Sequence, residues 1–352
     1  MTFKIGNVKF IKGKTVIIAE AGVNHNGKMH YAKKLIDDAK KAGADIIKFQ
    51  TYKATNLTTK KAPRFWNWGG EKVKKGTQFD SYSDLDSFEK KEYFEIIKYC
   101  QKKKIEFLST PFDKNSADML VSIGMKGFKI ASCDLTNFPL ISHIAKKNLP
   151  ILLSTGASNI QEIKNAVNLI KKYKNEKIII MHCTLCYPTK IENANLSAIL
   201  DIKKHFPNYM TGLSDHTIGI EIPSAAPLLG IEVIEKHFTF NKKLKKSADH
   251  WLSIDTLELK KLVKNVKTIN SALGNKKKIV LDCEMKARNF ARRSIVAAHD
   301  LKKNTKISIG DLEFKRPGTG ISPVKAKNII GSFIKRDITK DHIFKISDFK
   351  KK

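Results

Sequence analysis

The sequence lacks any long hydrophobic run, and none of its apolar stretches approaches the roughly eighteen residues of a membrane span. Its first residues, Met1-Thr2-Phe3-Lys4, do not begin a recognisable signal peptide. Cysteines are few, with five among 352 residues at irregular spacing, which argues against a disulfide framework. These features exclude a membrane-embedded protein and a disulfide-rich secreted domain, and we expect a cytoplasmic location.

Acidic residues are scarce as well: 34 Asp and Glu stand against 66 Lys and Arg, which gives a formal charge of +32. Such an excess is typical of proteins that bind nucleic acids. The lysines are nevertheless scattered along predicted helix faces, their uninterrupted runs do not exceed three residues, and no stripe of lysines is interleaved with aromatic residues. The charge is compatible with small anionic substrates, and we do not expect a nucleic-acid partner.

Short apolar strands alternate with amphipathic helices between residue 15 and about residue 274. This alternation predicts a parallel sheet, and eight such units in about 260 residues match a (β/α)8 TIM barrel. The pattern then changes. Residues 275–288 are interpreted as a linker, and residues 289–352 combine short strands with turn residues. The predicted fold class is therefore α/β, with a TIM-barrel domain over residues 1–274 and a small β-rich domain over residues 289–352.

Polar side chains follow nearly every predicted strand of the barrel. In this fold the carboxyl ends of the strands meet at one face, where catalytic residues gather. Two lysines and several hydroxyl groups at that face indicate an anion site, most simply one for a phosphate and a carboxylate. The strand-end residues are Glu20, Asn24, His25, Lys48, Gln50, Thr110, Lys129, Ser132, Asp134, Ser154, His182, Thr184, Tyr187, Ser214, Asp215 and Thr239.

Two histidines, His216 and His237, end the last two predicted strands. If both strands belong to one barrel, the imidazoles converge and form half of a metal site, which leaves the other positions to water or substrate. A hydrogen-bonded rim residue is the commoner interpretation of a single histidine in such a place. The histidine pair alone does not identify the metal, because two imidazoles suit zinc or iron as well as other divalent metals.

A long polar and aromatic segment, Thr51 to Asp86, interrupts the alternation after the second strand and contains Trp66 and Trp68. Segments of this length in compact domains are usually lids or substrate loops, or else disordered. The residues alone leave these alternatives open.

Seven ordered segments of the barrel carry a family resemblance: Ile18-Ala19-Glu20-Ala21-Gly22-Val23-Asn24-His25-Asn26-Gly27, Lys48-Phe49-Gln50, Leu108-Ser109-Thr110-Pro111-Phe112, Lys129-Ile130-Ala131-Ser132, Leu153-Ser154-Thr155-Gly156, Gly212-Leu213-Ser214-Asp215-His216 and Glu235-Lys236-His237-Phe238-Thr239. They resemble the sialic acid synthase family, and Lys315-Arg316-Pro317-Gly318-Thr319-Gly320 resembles that family's antifreeze-like (SAF) domain. The resemblance extends from about residue 14 to about residue 350.

The resemblance implies a synthase that condenses phosphoenolpyruvate with an N-acylated hexosamine to give a nonulosonic acid and phosphate. It implies that Glu20 acts as a general base or orients water, with Lys48 and Lys129 as further catalytic residues. The phosphoenolpyruvate-binding residues would be Lys48, Thr110, Lys129, Ser132, Ser154 and Ser214, and the sugar-binding residues would be Gln50, Asp134, Tyr187, Asp249 and Arg316.

The resemblance also implies that His216 and His237 hold a divalent metal, Mn²⁺ with Mg²⁺ or Co²⁺ as alternatives. Arg316 would reach the active site of a neighbouring subunit in a domain-swapped homodimer. The chain departs from the family pattern at Leu185, where some members have asparagine, at Asp134, where many have glutamate, and at Ser247-Ala248, where Gly-Pro is common.

These departures leave the acceptor open between N-acetylmannosamine, its 6-phosphate and a diacetamido-hexose. The alternative function is a catalytically inactive barrel that binds carbohydrate or a polyanion.

Overall fold

The computed structural model describes residues 2–64, 76–245, 247, 249–275 and 277–350. Trp66 and Trp68, which the sequence marks within the long insertion, lie outside these residues. The chain divides into two compact units, Met1–Gly274 and Asn275–Lys352.

The predicted TIM barrel is confirmed in the first unit. Eight parallel strands form one sheet in the order β5-β4-β3-β10-β9-β8-β7-β6, and the edge strands β5 and β6 lie next to each other, which closes the barrel. The strands are β3 (Val16–Gly22), β4 (Ile46–Thr51), β5 (Glu106–Pro111), β6 (Phe128–Ile130), β7 (Ile151–Ser154), β8 (Ile178–Cys183), β9 (Met210–Asp215) and β10 (Val233–His237). An antiparallel hairpin of β1 (Thr2–Ile5) and β2 (Val8–Ile11), which we did not predict, precedes them.

Ten helices are described in the first unit: α1 (Met29–Ala42), α2 (Ala54–Leu57), α3 (Gln78–Ser83), α4 (Lys90–Lys103), α5 (Lys114–Ser122), α6 (Phe138–Ala145), α7 (Ile160–Lys172), α8 (Ala198–His205), α9 (Glu221–Ala225) and α10 (Thr256–Ala272). The sequence pattern Asp255-x-x-Glu258 predicts a capped helix start, and α10 does begin there, because Asp255 accepts from the backbone of Glu258. The pattern Ser158-x-x-Gln161 predicts the start of α7 one residue too early, since Asn159 caps that helix. Within the described residues, no helix has the length and apolar character needed to cross a membrane.

The apolar core of the first unit has an outer and an inner layer. Alternate strand residues such as Ile17, Ile47 and Ile180 face outward and pack against the helices. The other set faces into the barrel: Val16, Ile18, Ile46, Leu108, Leu152, Ile179, Met181, Met210 and Val233. The hairpin residues Phe3, Ile5 and Phe10 belong to this inner layer. The inner apolar layer and the hairpin therefore fill the end of the barrel at which the strands begin. The end at which the strands finish is not filled by apolar side chains.

The second unit has its own small core. Strand β11 (Ser294–Ala297) pairs antiparallel with β12 (Leu312–Lys315), and two short helices accompany them, α11 (Met285–Ala291) and α12 (Ala326–Ile329). The buried residues of this core include Ile295, Leu301, Ile307, Ile334 and Phe344. The segment predicted as a linker, residues 275–288, contains the first residues of α11.

Candidate active site

The barrel interior changes from apolar to polar two residues beyond the inner apolar layer. Successive strand residues point to opposite faces, so residues i and i+2 share a face. Ile18 is thus followed inside the barrel by Glu20, and Ile46 by Lys48. The same step leads from Leu108 to Thr110, from Leu152 to Ser154 and from Val233 to Glu235. The alternation that buries the core therefore also places a polar ring at the strand ends.

This ring lines a pocket of about 360 Å³. Thirteen of the fourteen predicted site residues contribute to its surface: Glu20, Lys48, Gln50, Thr110, Lys129, Ser132, Asp134, Ser154, Tyr187, Ser214, His216, His237 and Asp249. The fourteenth, Arg316, is an exposed residue that follows β12 in the second unit. Thus the strand-end argument, with the family resemblance for Asp249, identified residues that meet in space although they are distant in sequence.

The bottom of the pocket is a charged floor, which we define as Glu20, Lys48, Lys129 and Glu235. The Lys48 ammonium lies 2.8 Å from Glu20 Oε2 and 3.6 Å from Glu235 Oε1. Lys129 Nζ donates to Glu235 Oε1 at 2.7 Å. Because all four side chains are almost wholly buried, each charge depends on its neighbours, and loss of one partner would leave a buried charge uncompensated.

Three polar neighbours add hydrogen bonds to the floor. Lys48 Nζ donates to Thr110 Oγ1 at 2.8 Å, Gln50 Nε2 donates to Glu20 Oε1 at 3.1 Å, and Ser214 Oγ donates to Glu235 Oε1 at 3.1 Å. The Ser154 hydroxyl is buried and has no hydrogen-bond partner among the described residues. A buried hydroxyl nearly always has a partner, so a bound ligand is the natural acceptor or donor for Ser154.

The two carboxylates of the floor have opposite pKa shifts. Burial raises the pKa of Glu20, and the nearby Lys48 only partly offsets this effect. Burial would also raise the pKa of Glu235, but Lys129 and Lys48 together lower it to about 2. Glu235 is therefore a fixed negative charge that holds both lysines, whereas Glu20 is the carboxylate suited to accept a proton.

His216 and His237 lie side by side at the rim, with ring centroids 5.2 Å apart. His216 Nδ1 is 3.0 Å from the carbonyl oxygen of Thr184, and His237 Nδ1 is 3.2 Å from Asp249 Oδ2. A carbonyl oxygen only accepts hydrogen bonds, so His216 Nδ1 is the donor in this contact. This arrangement, in which an outer partner orients the ring, is typical of metal-binding histidines.

The two histidines at the rim could supply part of the coordination of a divalent cation. Among the described residues, no group of three or more histidine, cysteine, aspartate or glutamate side chains is arranged to hold a metal ion. A cation at His216 and His237 would therefore complete its coordination with water or substrate, as an open catalytic site requires. Asp249, predicted to bind the sugar, lines the pocket and also lies 3.2 Å from Nδ1 of His237.

A buried ion pair is formed by the residues that directly precede the two histidines. Lys236 Nζ donates to Asp215 Oδ2 at 2.6 Å and also to the backbone carbonyl of Thr217. Asp215 precedes His216 and Lys236 precedes His237, so the pair ties the ends of β9 and β10 together directly beside the histidines.

A larger cavity, of about 1160 Å³, lies where the strands begin. It is also rich in lysine, but two of those lysines donate hydrogen bonds to backbone carbonyl groups. Lys40 Nζ donates to the carbonyl of Lys104 at 2.6 Å, and Lys177 Nζ donates to the carbonyl of Asn148 at 3.0 Å. The polar ring with its paired carboxylates and histidines is at the other end, which is therefore the candidate active site.

Comparison with known proteins agrees with this geometry. The model of the NeuB family matches residues 35–278, and that of the SAF domain matches residues 292–350. The chain belongs to the NeuB family.

Relatives of this NeuB-family chain match it over almost its whole length. It is 39% identical over 327 residues to the N,N'-diacetyllegionaminic acid synthase of Legionella pneumophila, which covers 92% of this chain and 91% of the relative. It is 35% identical over 352 residues to the pseudaminic acid synthase of Campylobacter jejuni, covering 99% and 100% of the two chains.

A solved structure extends the likeness to three dimensions. The N-acetylneuraminic acid (sialic acid) synthetase of Leptospira borgpetersenii is 37% identical, with a TM-score of 0.72 over 81% of this chain and 94% of that one. The predicted family and fold are thereby confirmed.

The pocket residues of this NeuB-family barrel that sequence reasoning missed include Glu235, Tyr52 and Tyr82. A signal for Glu235 was present, because it precedes His237 by two residues, as Ser214 precedes His216, and therefore shares its face. Tyr52 follows β4, two residues after Gln50, and had the same signal. Tyr82 lies in the long insertion, where neither strand nor helix periodicity was available to place it.

Proposed function

We propose that the chain is a phosphoenolpyruvate-dependent nonulosonate synthase. It condenses phosphoenolpyruvate with an N-acylated hexosamine and gives a sialic or sialic-acid-like nonulosonic acid plus phosphate. Carbon 3 of phosphoenolpyruvate forms a bond to the aldehyde carbon of the open-chain sugar, water adds at carbon 2, and phosphate leaves with cleavage of its bond to that carbon. The observation that carries this proposal is the convergence of thirteen family-implied residues on one pocket.

The charged floor supports the binding of phosphoenolpyruvate. Lys48 and Lys129 supply two ammonium groups in a nearly water-free setting, where an anion is bound more strongly than at a protein surface. Their carboxylate partners hold them in place before the substrate arrives. The hydroxyls of Thr110, Ser132, Ser154 and Ser214 would donate to the phosphate and carboxylate oxygens.

Glu20 is the residue that we assign to proton transfer. Its raised pKa makes it a better base than an exposed carboxylate, and its Oε1 atom is fixed by Gln50 at 3.1 Å. Gln50, Asp134, Tyr187 and Asp249 would contact the sugar. Asp134 lies next to the floor in a turn after β6, and burial raises its pKa.

We assign the cofactor site to the histidine pair. A divalent cation at His216 and His237, Mn²⁺ in our proposal with Mg²⁺ or Co²⁺ as alternatives, would supply Lewis-acid polarisation of the sugar aldehyde. The protein's own part is to orient both imidazoles through the Thr184 carbonyl and Asp249.

The function is tested by phosphate release. The purified chain receives phosphoenolpyruvate, Mn²⁺ and, in separate reactions, N-acetylmannosamine, its 6-phosphate or a diacetamido-hexose. We expect release with at least one acceptor and none with phosphoenolpyruvate alone. A folded, metal-loaded protein that releases no phosphate with any acceptor would contradict the proposal.

We further propose that Arg316 completes the site of the partner in a domain-swapped homodimer, as the family resemblance implies. Arg316→Ala should then raise the KM for the acceptor about tenfold or more, as expected for a charged hydrogen bond. Mixing Arg316→Ala chains with Lys129→Met chains should restore activity, because each mixed dimer contains one site with both residues intact.

The two variants are unfolded and refolded together in equal amounts. If the subunits combine at random, half of the dimers are mixed and each has one intact site of two, so about a quarter of the wild-type activity should be recovered. No recovery in a sample that sediments as a mixed dimer would show that Arg316 acts within its own chain. We also propose a cytoplasmic location, because all five cysteines have free thiols, which suits a reducing compartment.

A further inference from the structure

Above the charged floor the pocket is bounded by a neutral wall, which we define as Tyr52, Leu57, Tyr82 and Leu85. Tyr52 directly follows β4, Leu57 ends α2, and Tyr82 belongs to α3. The rings of Tyr52 and Tyr82 meet edge to face with centroids 5.4 Å apart, and Tyr52 meets Phe112 in the same way at 6.0 Å. The wall is therefore a packed surface and not a set of separate side chains.

The hydroxyl group of Tyr52 is buried without a partner. The residue is 6% exposed, and its oxygen makes no hydrogen bond within the described part of the chain. Burial, together with Tyr82 and Asp249, raises the pKa of Tyr52 far above its usual value, so the phenol stays neutral. Since buried hydroxyls almost always have partners, this one indicates a ligand atom that accepts or donates a single uncharged hydrogen bond.

The charges around the wall are unfavourable to a second phosphate. Among the described lining residues the lysines are Lys48 and Lys129, and both are already paired with carboxylates. Asp134 and Asp249 add negative charge near the rim. A phosphorylated acceptor would bring about two further negative charges at neutral pH to a surface whose described lining residues offer no cation without a carboxylate partner. An amide group would need only a neutral donor and apolar contacts.

We propose that the neutral wall binds a second, uncharged N-acyl group of the acceptor. Its carbonyl oxygen accepts a hydrogen bond from the Tyr52 hydroxyl, and its methyl group packs against Leu57 and Leu85. The acceptor is thus an unphosphorylated hexose with two acetamido groups. This inference rests on the proposed function and assigns Tyr52 as a residue that determines specificity.

The test compares wild type with Tyr52→Phe, which removes one oxygen and keeps the ring packing. The acceptors are a diacetamido-hexose, N-acetylmannosamine and N-acetylmannosamine 6-phosphate, each with saturating phosphoenolpyruvate and Mn²⁺. The matched control is Tyr99→Phe, whose hydroxyl donates to Asp37 Oδ2 at 2.9 Å, away from the pocket.

We expect wild type to prefer the diacetamido-hexose over both other sugars by at least about tenfold in kcat/KM. Tyr52→Phe should lower kcat/KM for that sugar about five- to tenfold, as for a neutral hydrogen bond. It should change the value for N-acetylmannosamine less than about twofold and leave the KM for phosphoenolpyruvate unchanged, and Tyr99→Phe should alter none of these.

Preference for the 6-phosphate, or an equal effect of Tyr52→Phe on all acceptors, would overturn the assignment. If no acceptor releases phosphate, the proposed function fails, and calorimetric titration of the same sugars then decides the role of Tyr52 separately. Weaker binding of the diacetamido-hexose to Tyr52→Phe than to wild type would support it, and equal binding would refute it.

Discussion

The charged floor and the neutral wall of the pocket are built in different ways. The floor residues come from β3, β4, β6 and β10, whose backbones are held by the hydrogen bonds of the sheet. The wall comes mainly from α2, α3 and the segments that flank them, outside the barrel sheet. Groups that must be placed within a fraction of an ångström lie on the rigid scaffold, and the groups that we propose to select the acceptor lie on an insertion.

This contrast has an energetic reason. A buried charge tolerates little displacement, because a lost partner costs several kcal/mol. An apolar contact that shifts by a few tenths of an ångström loses only part of its dispersion energy. The insertion can therefore change in sequence without destabilising the barrel, whereas the floor cannot. We expect substitutions in the floor to affect stability and turnover together, and substitutions in the wall to affect the choice of acceptor.

The largest effect is expected from Lys129→Met, which breaks the floor. The variant removes the ammonium 2.7 Å from Glu235 Oε1 and leaves that buried carboxylate with the more distant Lys48. We expect kcat to fall about 10³-fold and the free energy of unfolding to fall by about 3 kcal/mol. Phosphate release and urea denaturation measure the two quantities.

The double variant Lys129→Met with Glu235→Leu separates the two effects. Replacing both members of a buried ion pair by apolar residues is often close to neutral for stability. We expect the double variant to regain most of the lost stability while activity stays lost. A double variant that is as unstable as the single one would show that Lys129 stabilises the barrel by packing and not by charge.

A second large effect is expected next to the two histidines, at Lys236. Its side chain is 1% exposed and lies 2.6 Å from Asp215, so Lys236→Met leaves a buried aspartate unpaired and should cost about 3–5 kcal/mol of unfolding free energy. Lys34→Met is the control, since its pair with Asp38 at 3.1 Å lies on the exposed side of α1 and should contribute less than about 0.5 kcal/mol. Equal thermal shifts for the two variants would contradict the assigned role of the buried pair.

The floor was largely predictable from sequence and the wall was not, for a physical reason. Strand alternation has a period of two, so a polar residue two positions beyond an apolar inner residue must face the pocket. This rule located Glu20, Lys48 and Ser154 directly. It also applied to Glu235, which we overlooked because the neighbouring His237 dominated the interpretation of that strand.

The wall lacks such a rule. Helices α2 and α3 are only four and six residues long, too short for a helical period to show which face is buried. Their position is set by contacts with distant segments, such as the edge-to-face packing of Tyr82 on Tyr52. The length of the insertion therefore left a lid, a substrate loop and disorder as alternatives, and its contacts could not be predicted.

The smallest changes in stability and in KM are expected for two buried serines. Their variants should also separate an effect on substrate binding from an effect on stability. Ser109 Oγ is 2.7 Å from Thr51 Oγ1 and donates to the Phe49 carbonyl at 3.0 Å, so Ser109→Ala should cost about 1 kcal/mol of stability without changing any KM. Ser154 Oγ has no partner among the described residues, so Ser154→Ala should leave stability unchanged within about 0.5 kcal/mol.

Ser154→Ala should instead raise the KM for phosphoenolpyruvate about fivefold, because the hydroxyl's partner is the substrate. Thermal denaturation and initial rates at varied phosphoenolpyruvate measure both serine variants. If Ser154→Ala destabilises the protein as Ser109→Ala does and leaves the KM unchanged, its hydroxyl belongs to the scaffold. A buried strand-end hydroxyl without a hydrogen-bond partner would then not be a reliable sign of a substrate-binding position.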